Sequence, residues 1–238
     1  MNGRLTSFYR KLRVGLLLLC LTGPAGLTAS AVMIFSSGTL NLDIPDDATL
    51  VSNSLTVSGA PSLINGVSVG VQLNITGGYN GDLYAYLVYD DVTVVLLNRI
   101  GLTEAHPYGA AGEGMNVTLV DGSPDIHQAG DTVLTGVWSP DGRLISPLSS
   151  GAEFDAAPRD YQLSQLAGYN PNGVWELFLA DMESGAQSRL VNWSLLIGNP
   201  PIVAVPEPGI LQLFVCGALI VVYVYWRKRR RSQATPAS

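Results

Sequence analysis

Cysteine and lysine are both missing from the long middle of this 238-residue chain, where arginine is the only basic residue apart from two histidines. The two cysteines, Cys20 and Cys216, lie in apolar runs at opposite ends. The interval between them therefore has no internal disulfide, thiol nucleophile or thiolate metal site. Charge is scarce as well: 13% of residues are charged, where about 25% is usual for a soluble domain. What charge there is falls into blocks. Residues 1–31 hold Arg4, Arg10, Lys11 and Arg13 with no acid, and the last stretch holds Arg227, Lys228, Arg229, Arg230 and Arg231 with no acid. All 19 acids lie between Asp43 and Glu207, opposed there by only Arg99, Arg143, Arg159 and Arg189, which leaves that interval at −15. Nucleic-acid affinity is built from Lys and Arg neutralising phosphates, so nucleic acid is excluded as a partner.

The ends read as addresses. Residues 1–31 form a secretory signal: a basic start ending at Arg13, the apolar run Val14–Leu21, and the small-residue exit Ala29-Ser30-Ala31, where Ala29 and Ala31 frame the signal peptidase site. The run falls short of the ~20 apolar residues needed to span a bilayer. Export through the Sec translocon follows. Near the other end, residues 209–226 are apolar apart from Gln212 and finish in Tyr223, Tyr225 and Trp226, which suits a transmembrane helix with an interfacial aromatic cluster. The basic cluster Arg227–Arg231 is a cytoplasmic membrane stop by the positive-inside rule, with residues 227–238 as the cytoplasmic tail, and the body lies outside.

A linker, residues 201–208, precedes that helix and contains Pro206-Glu207-Pro208. The order Pro-Glu-Pro, apolar helix, arginine cluster resembles the bacterial PEP-CTERM sorting signal. The resemblance implies that a membrane-embedded exosortase recognises the tail, cleaves near Pro206, Glu207 and Pro208, and passes the body to the cell surface or extracellular matrix. A plain type I anchor, with the prolines only breaking structure before the helix, is the alternative.

Between these ends, residues 32–200 carry a period of two. Leu40, Leu42 and Ile44 alternate with polar residues, and so do Val67, Val69, Val71, Leu73 and Ile75, as strands with one buried face do. Further strands are expected at 49–57, 83–88, 92–97, 115–120, 133–138, 174–180 and 189–197. The dipeptides Asn80-Gly81, Asp121-Gly122, Asp141-Gly142 and Asn172-Gly173 favour tight turns and hairpins. Residues 139–172 read as one long excursion. Many short strands and no sustained helical period predict an all-β fold, an antiparallel jelly-roll β-sandwich.

Ile44-Pro45-Asp46-Asp47, Gly81-Asp82-Leu83-Tyr84, and Gly173-Val174-Trp175-Glu176-Leu177 with Asp181 and Asn192-Trp193-Ser194-Leu195 resemble the P domain (P/Homo B) attached to proprotein convertases and many secreted bacterial hydrolases. The similarity covers roughly residues 40–198. It implies a jelly roll that, beside a protease, stabilises or regulates the catalytic domain. Gln187-Ser188-Arg189 stand where the family often has a second acid followed by glycine, which weakens any calcium-binding role of that loop. Trp175 and Trp193 are expected to be core anchors. Asp82 and Asp181, at strand ends, are expected to cap turns and are the two candidate metal ligands, with Ca²⁺ the only cofactor they would serve.

A search for catalysis gives little. Gly66-Val67-Ser68-Val69-Gly70 matches the nucleophile pattern G-x-S-x-G, but that motif works at a sharp strand-to-helix turn, and here strand alternation runs through Ser68. His106 and His127 lack paired zinc spacing and are expected at turns or on the surface. No acidic loop follows the EF-hand order. Asn74, Asn116 and Asn192 begin Asn-x-Ser/Thr triplets, each inside an expected strand, and are read as chance. The expectation is a non-catalytic surface or matrix module. The alternative is a binding or regulatory module for extracellular polysaccharide or a secreted hydrolase, using a sheet face or aromatics such as Phe154, Tyr161 and Tyr169.

Overall fold

A computed structural model describes residues 32–64 and 68–198. The signal segment with Ala29 and Ala31, the Pro206-Glu207-Pro208 motif, the apolar stretch 209–226 and the basic cluster Arg227–Arg231 lie outside the described residues. Among those described, no helix is long and apolar enough to cross a membrane.

Among the described residues, ten strands form two sheets. The strands are β1 (Met33–Ser36), β2 (Leu42–Ile44), β3 (Val51–Val57), β4 (Ser68–Tyr79), β5 (Leu83–Tyr89), β6 (Val92–Asn98), β7 (Glu113–Leu119), β8 (Leu134–Trp138), β9 (Gly173–Asp181) and β10 (Ser188–Gly198). The larger sheet runs β1-β10-β4-β7-β8, with β2 also on β10, and the smaller runs β3-β9-β5-β6. Among the described residues, helix is limited to one short segment, α1 (Gly151–Ala156), and three 3-10 turns. The fold is all-β.

The period-two residues make the core. Val69, Val71, Leu73 and Ile75 of β4, Met115, Val117 and Leu119 of β7, and Trp193, Leu195 and Ile197 of β10 are buried from one sheet. Leu83, Ala85 and Leu87 of β5 and Trp175, Leu177 and Leu179 of β9 are buried from the other. Trp175 and Trp193 are the two largest side chains wholly removed from solvent. Burying an indole demands a partner for its N–H. Trp193 Nε1 donates to Asn53 Oδ1 of β3 at 2.8 Å, a hydrogen bond from one sheet to the other. Trp175 Nε1 donates to the Pro171 carbonyl at 2.9 Å, and its ring stacks on Tyr89 with centroids 4.0 Å apart.

Two expectations are corrected, and one strand is added. The sheets are not wholly antiparallel, because β7 and β8 pair in parallel. Residues 120–133, with a 3-10 turn at Ile126–Gln128, are long enough to carry the chain back to the same end before β8 begins. The Gly-containing dipeptides are not the hairpin turns: Asn80-Gly81 lies in a 3-10 turn (Asn80–Asp82) that hands the chain from the larger sheet to the smaller. The tight hairpin is β5–β6, closed by Asp90-Asp91 with Asp90 at φ 53°, a left-handed conformation that Asp tolerates. Finally, Met33–Ser36, beside the signal exit, is a strand pairing with β10.

Residues 139–172 do form a single excursion, and it covers an edge. Asp141 and Gly142 donate to the carbonyls of Leu96 and Val95 at 3.0 and 2.9 Å, and Val95 donates to the Tyr161 carbonyl at 3.1 Å. The outer ladder groups of β6 are thereby paired rather than left open to another chain.

Candidate functional site

Two buried polar clusters stand out, one around Arg99 and one under the excursion. The first gathers the end of the β2–β3 loop, the start of β5 and the end of β9. Asp181 closes β9, opposite Leu83, which follows Asp82. The Met182 N–H donates to the Asp82 carbonyl and the Ala48 N–H to the Asp181 carbonyl, both at 2.8 Å, so main-chain bonds hold the three segments together. The sequence candidates Asp82 and Asp181 thus belong to one site, joined by Asp46 and Glu183. Asp82 is 7% exposed and Asp181 is fully buried.

Arg99 is the cation of this cluster. Its Nη1 donates to Glu183 Oε1 at 3.2 Å, its Nη2 stands 3.8 Å from Asp82 Oδ1, and its Nε donates to the Gly81 carbonyl at 2.7 Å. The Ser188 hydroxyl donates to Asp181 Oδ2 at 2.9 Å, and the Gly185 N–H to Asp46 Oδ2 at 2.8 Å. The other oxygens, Oδ1 of Asp46 and Oδ1 of Asp181, are buried without a partner. The N–H groups of Glu183 and Ser188 come near enough to Asp181 to favour its charged form, though neither closes a bond on Oδ1.

Whether this is a calcium site can be judged from the donors. Ca²⁺ needs six to eight oxygens converging on one point. Among the described residues no group of three or more His, Cys, Asp and Glu is placed to hold a metal ion, and Arg99 already supplies positive charge to Asp82 and Glu183. The residues do not fit Ca²⁺. A proton fits better. Burial, opposed by Arg99 and reinforced by Asp181, Glu183 and Asp46, raises the Asp82 pKa to about 6. Burial, opposed chiefly by the Ser188 hydroxyl, also raises that of Asp181.

A pH dependence follows. A carboxyl whose pKa is higher folded than unfolded holds its proton more tightly in the native state, so its contribution is full below the unfolded value and lost as pH rises through the folded one. For Asp82 that window runs from 3.8 to about 6. The thermal midpoint is expected to be higher at pH 5 than at pH 7, and Asp82→Asn to flatten the difference. Midpoints that fall equally in both proteins on acidification would refute it.

The second cluster lies under the excursion and contains a histidine that sits at a turn, as expected, but is buried there rather than exposed. His106 is exposed, but His127 is 2% exposed. Its Nδ1 faces Asp141 Oδ2 at 2.7 Å, its Nε2 faces the Leu102 carbonyl at 2.9 Å, and its ring stacks on Phe154 with centroids 5.6 Å apart. Arg143 Nη1 donates to Asp141 Oδ1 at 3.2 Å and its Nη2 to Asp125 Oδ2 at 3.0 Å. Arg159 Nη2 lies 3.3 Å from Asp125 Oδ1 and donates to the Pro140 carbonyl at 2.7 Å. A histidine on a carboxylate supplies two of the three members of a catalytic triad. Here the nitrogen that would serve a nucleophile faces a main-chain carbonyl, and the ring is sealed beneath Phe154. The nearby Ser139 hydroxyl donates to Gln162 instead, at 3.3 Å.

No protein-family model matches the chain. No curated protein matches it either. Among solved structures it is similar to the serine protease of Aeromonas sobria, with 15% identity over 77% of this chain and 29% of that one, at a TM-score of 0.39. The complex of that protease with the chaperone ORF2 gives 14% identity, 78% and 29% coverage, and a TM-score of 0.38. The chain thus spans under a third of the length of those proteins, and a likeness this distant carries no argument about activity.

The remaining candidates are accounted for locally. Ser68 opens β4, opposite Gly198 of β10, with no strand-to-helix turn. Phe154, expected as an exposed ligand contact, is 1% exposed. Tyr169, half-buried, donates to Asp91 at 2.7 Å. Arg99 and the His127–Asp141 pair were missed because their partners are distant in sequence, and Asp141-Gly142 carries only a turn signal.

Proposed function

We propose that this chain is a non-catalytic, exported surface or matrix module: a P-domain-like jelly-roll sandwich delivered through its C-terminal sorting tail. The observation that carries the reading is the order of parts. A body with its own core ends at β10, and Pro206-Glu207-Pro208, the apolar stretch 209–226 and Arg227–Arg231 follow at once. The body's first and last strands pair with each other, so nothing beyond them is needed to close the core. A histidine–carboxylate pair shut behind a carbonyl and an aromatic ring supports a structural rather than chemical purpose. The resident charges act likewise: both clusters tie loops to sheet edges.

In this reading the Sec translocon and signal peptidase release the body after Ala31, the helix holds it in the inner membrane, and an exosortase transfers it outward. Deleting Pro206-Glu207-Pro208 in the native host should leave the full-length chain in the membrane fraction while the parent chain reaches the surface or medium. Export of the deletion variant at the parental level would overturn the sorting half.

A further inference from the structure

The three Asn-x-Ser/Thr triplets are not scattered. Asn74-Ile75-Thr76, Asn116-Val117-Thr118 and Asn192-Trp193-Ser194 sit on β4, β7 and β10, three adjacent strands of the larger sheet. The middle residue of each, Ile75, Val117 or Trp193, is buried in the core. Alternation therefore turns the flanking polar residues to the outer face. Register does the rest: Asn192 lies opposite Asn74, Asn74 opposite Asn116, and Asn116 opposite Thr135 of β8. The next row is Ser194, Gln72, Thr118, of which Ser194 is buried. Neighbouring strands are about 4.8 Å apart and successive outward positions about 6.8 Å, so the amides of Asn192, Asn74, Asn116 and Gln72 and the Thr118 hydroxyl form a regular grid.

The grid is unusual for three reasons. Asparagine is disfavoured in strand interiors, yet three stand abreast at the centre of the sheet. Among the described residues the side chains of Gln72, Asn74, Asn116 and Asn192 make no hydrogen bond, and none is among the buried orphans, so the fold does not use them and their polar atoms meet solvent. The two rows also carry no charge. The nearest in register is at the rim, where Arg189, opposite Thr76, pairs with Asp43 at 2.6 Å.

These facts select an occupant. An apolar partner would bury amides with nothing to bond. A polyanion would be repelled by a body whose 18 acids and four arginines leave it at −14. A carboxamide donates and accepts at once, as a sugar hydroxyl does, and a regular row of them matches a polymer that repeats its hydroxyls. We infer that the outer face of the larger sheet docks a neutral polysaccharide strand, held by Asn192, Asn74 and Asn116 with Gln72 and Thr118 beside them. The inference rests on the exported reading for its supply of polymer, but its test does not.

The full-length protein in detergent is run by affinity electrophoresis through gels containing hydroxyethyl cellulose, dextran or alginate. Retardation is expected in at least one of the two neutral gels and not in alginate. The triple variant Asn74→Ala, Asn116→Ala, Asn192→Ala should weaken it about tenfold or more. The triple Asn→Val variant, which restores strand propensity and offers no hydrogen bond, is expected to keep the thermal midpoint and to weaken retardation equally, showing that the loss is not unfolding. No retardation in either neutral gel, retardation in alginate, parental retardation by the triple variants, or hexose mass increments on these asparagines would each overturn the inference. A chain that is retarded but not sorted would refute only the delivery reading, and a chain sorted but not retarded only this one.

Discussion

Asp141→Ala should lower the stability of the body by about 3–5 kcal/mol, the cost of breaking a buried ion pair by removing one partner. Asp141 is fully buried. It accepts from Arg143 Nη1 and from the Arg143 N–H, both at 3.2 Å, and meets His127 Nδ1 at 2.7 Å. Its loss leaves an imidazole nitrogen and part of a guanidinium without a partner, in a place water does not reach. Asp125 still holds Arg143 Nη2, which keeps the cost from rising further. The damage should concentrate in residues 139–172, whose covering of β6 begins at Asp141 and Gly142. Denaturant titration reads the total, and limited proteolysis reads the place: faster cleavage within the excursion than elsewhere is expected. A loss under about 1 kcal/mol, the scale of an exposed pair, would mean that the cluster is not the lock described.

The sheets were legible because each strand buries one face, and a period of two survives in the sequence wherever that is so. β3, β5, β6, β7, β9 and β10 all fall within a few residues of the expected positions. Trp175 and Trp193 were legible as anchors for the same reason. Pairing was not. The parallel β7–β8 contact depends on how residues 120–133 return, and turn dipeptides do not record whether the next strand joins the same sheet. α1 left a readable mark: Ser150 and Glu153 form a reciprocal capping box, with the Ser150 N–H donating to Glu153 Oε2 at 2.7 Å, the S-x-x-E signature of a helix start.

The polar clusters divide along similar lines. Asp82 and Asp181 could be singled out at strand ends, but their shared site and its cation, Arg99, are products of three loops meeting. His127 and Asp141 lie 14 positions apart, each in a segment that reads as a turn. The asparagine triplets show the limit most clearly. Each was visible as a motif and as part of a strand, while the register that sets them abreast is a property of the folded sheet alone.

The ends decide where such a scaffold works, and there the expected effect is all or none. In the proposed reading the apolar stretch at 209–226, closed by five basic residues, would hold the chain in the bilayer with the body outside. The proposed cleavage near Pro206-Glu207-Pro208 would remove both at a stroke and leave the sandwich whole, because its final strand ends at Gly198. Intact-mass spectrometry of the protein recovered from the cell surface and medium of the native host tests this directly. A polypeptide beginning just after Ala31 and ending near Pro206-Glu207-Pro208 is the predicted result. A chain found only in the cytosol, or one at the surface that still carries Met1 or Arg227–Arg231, would contradict it.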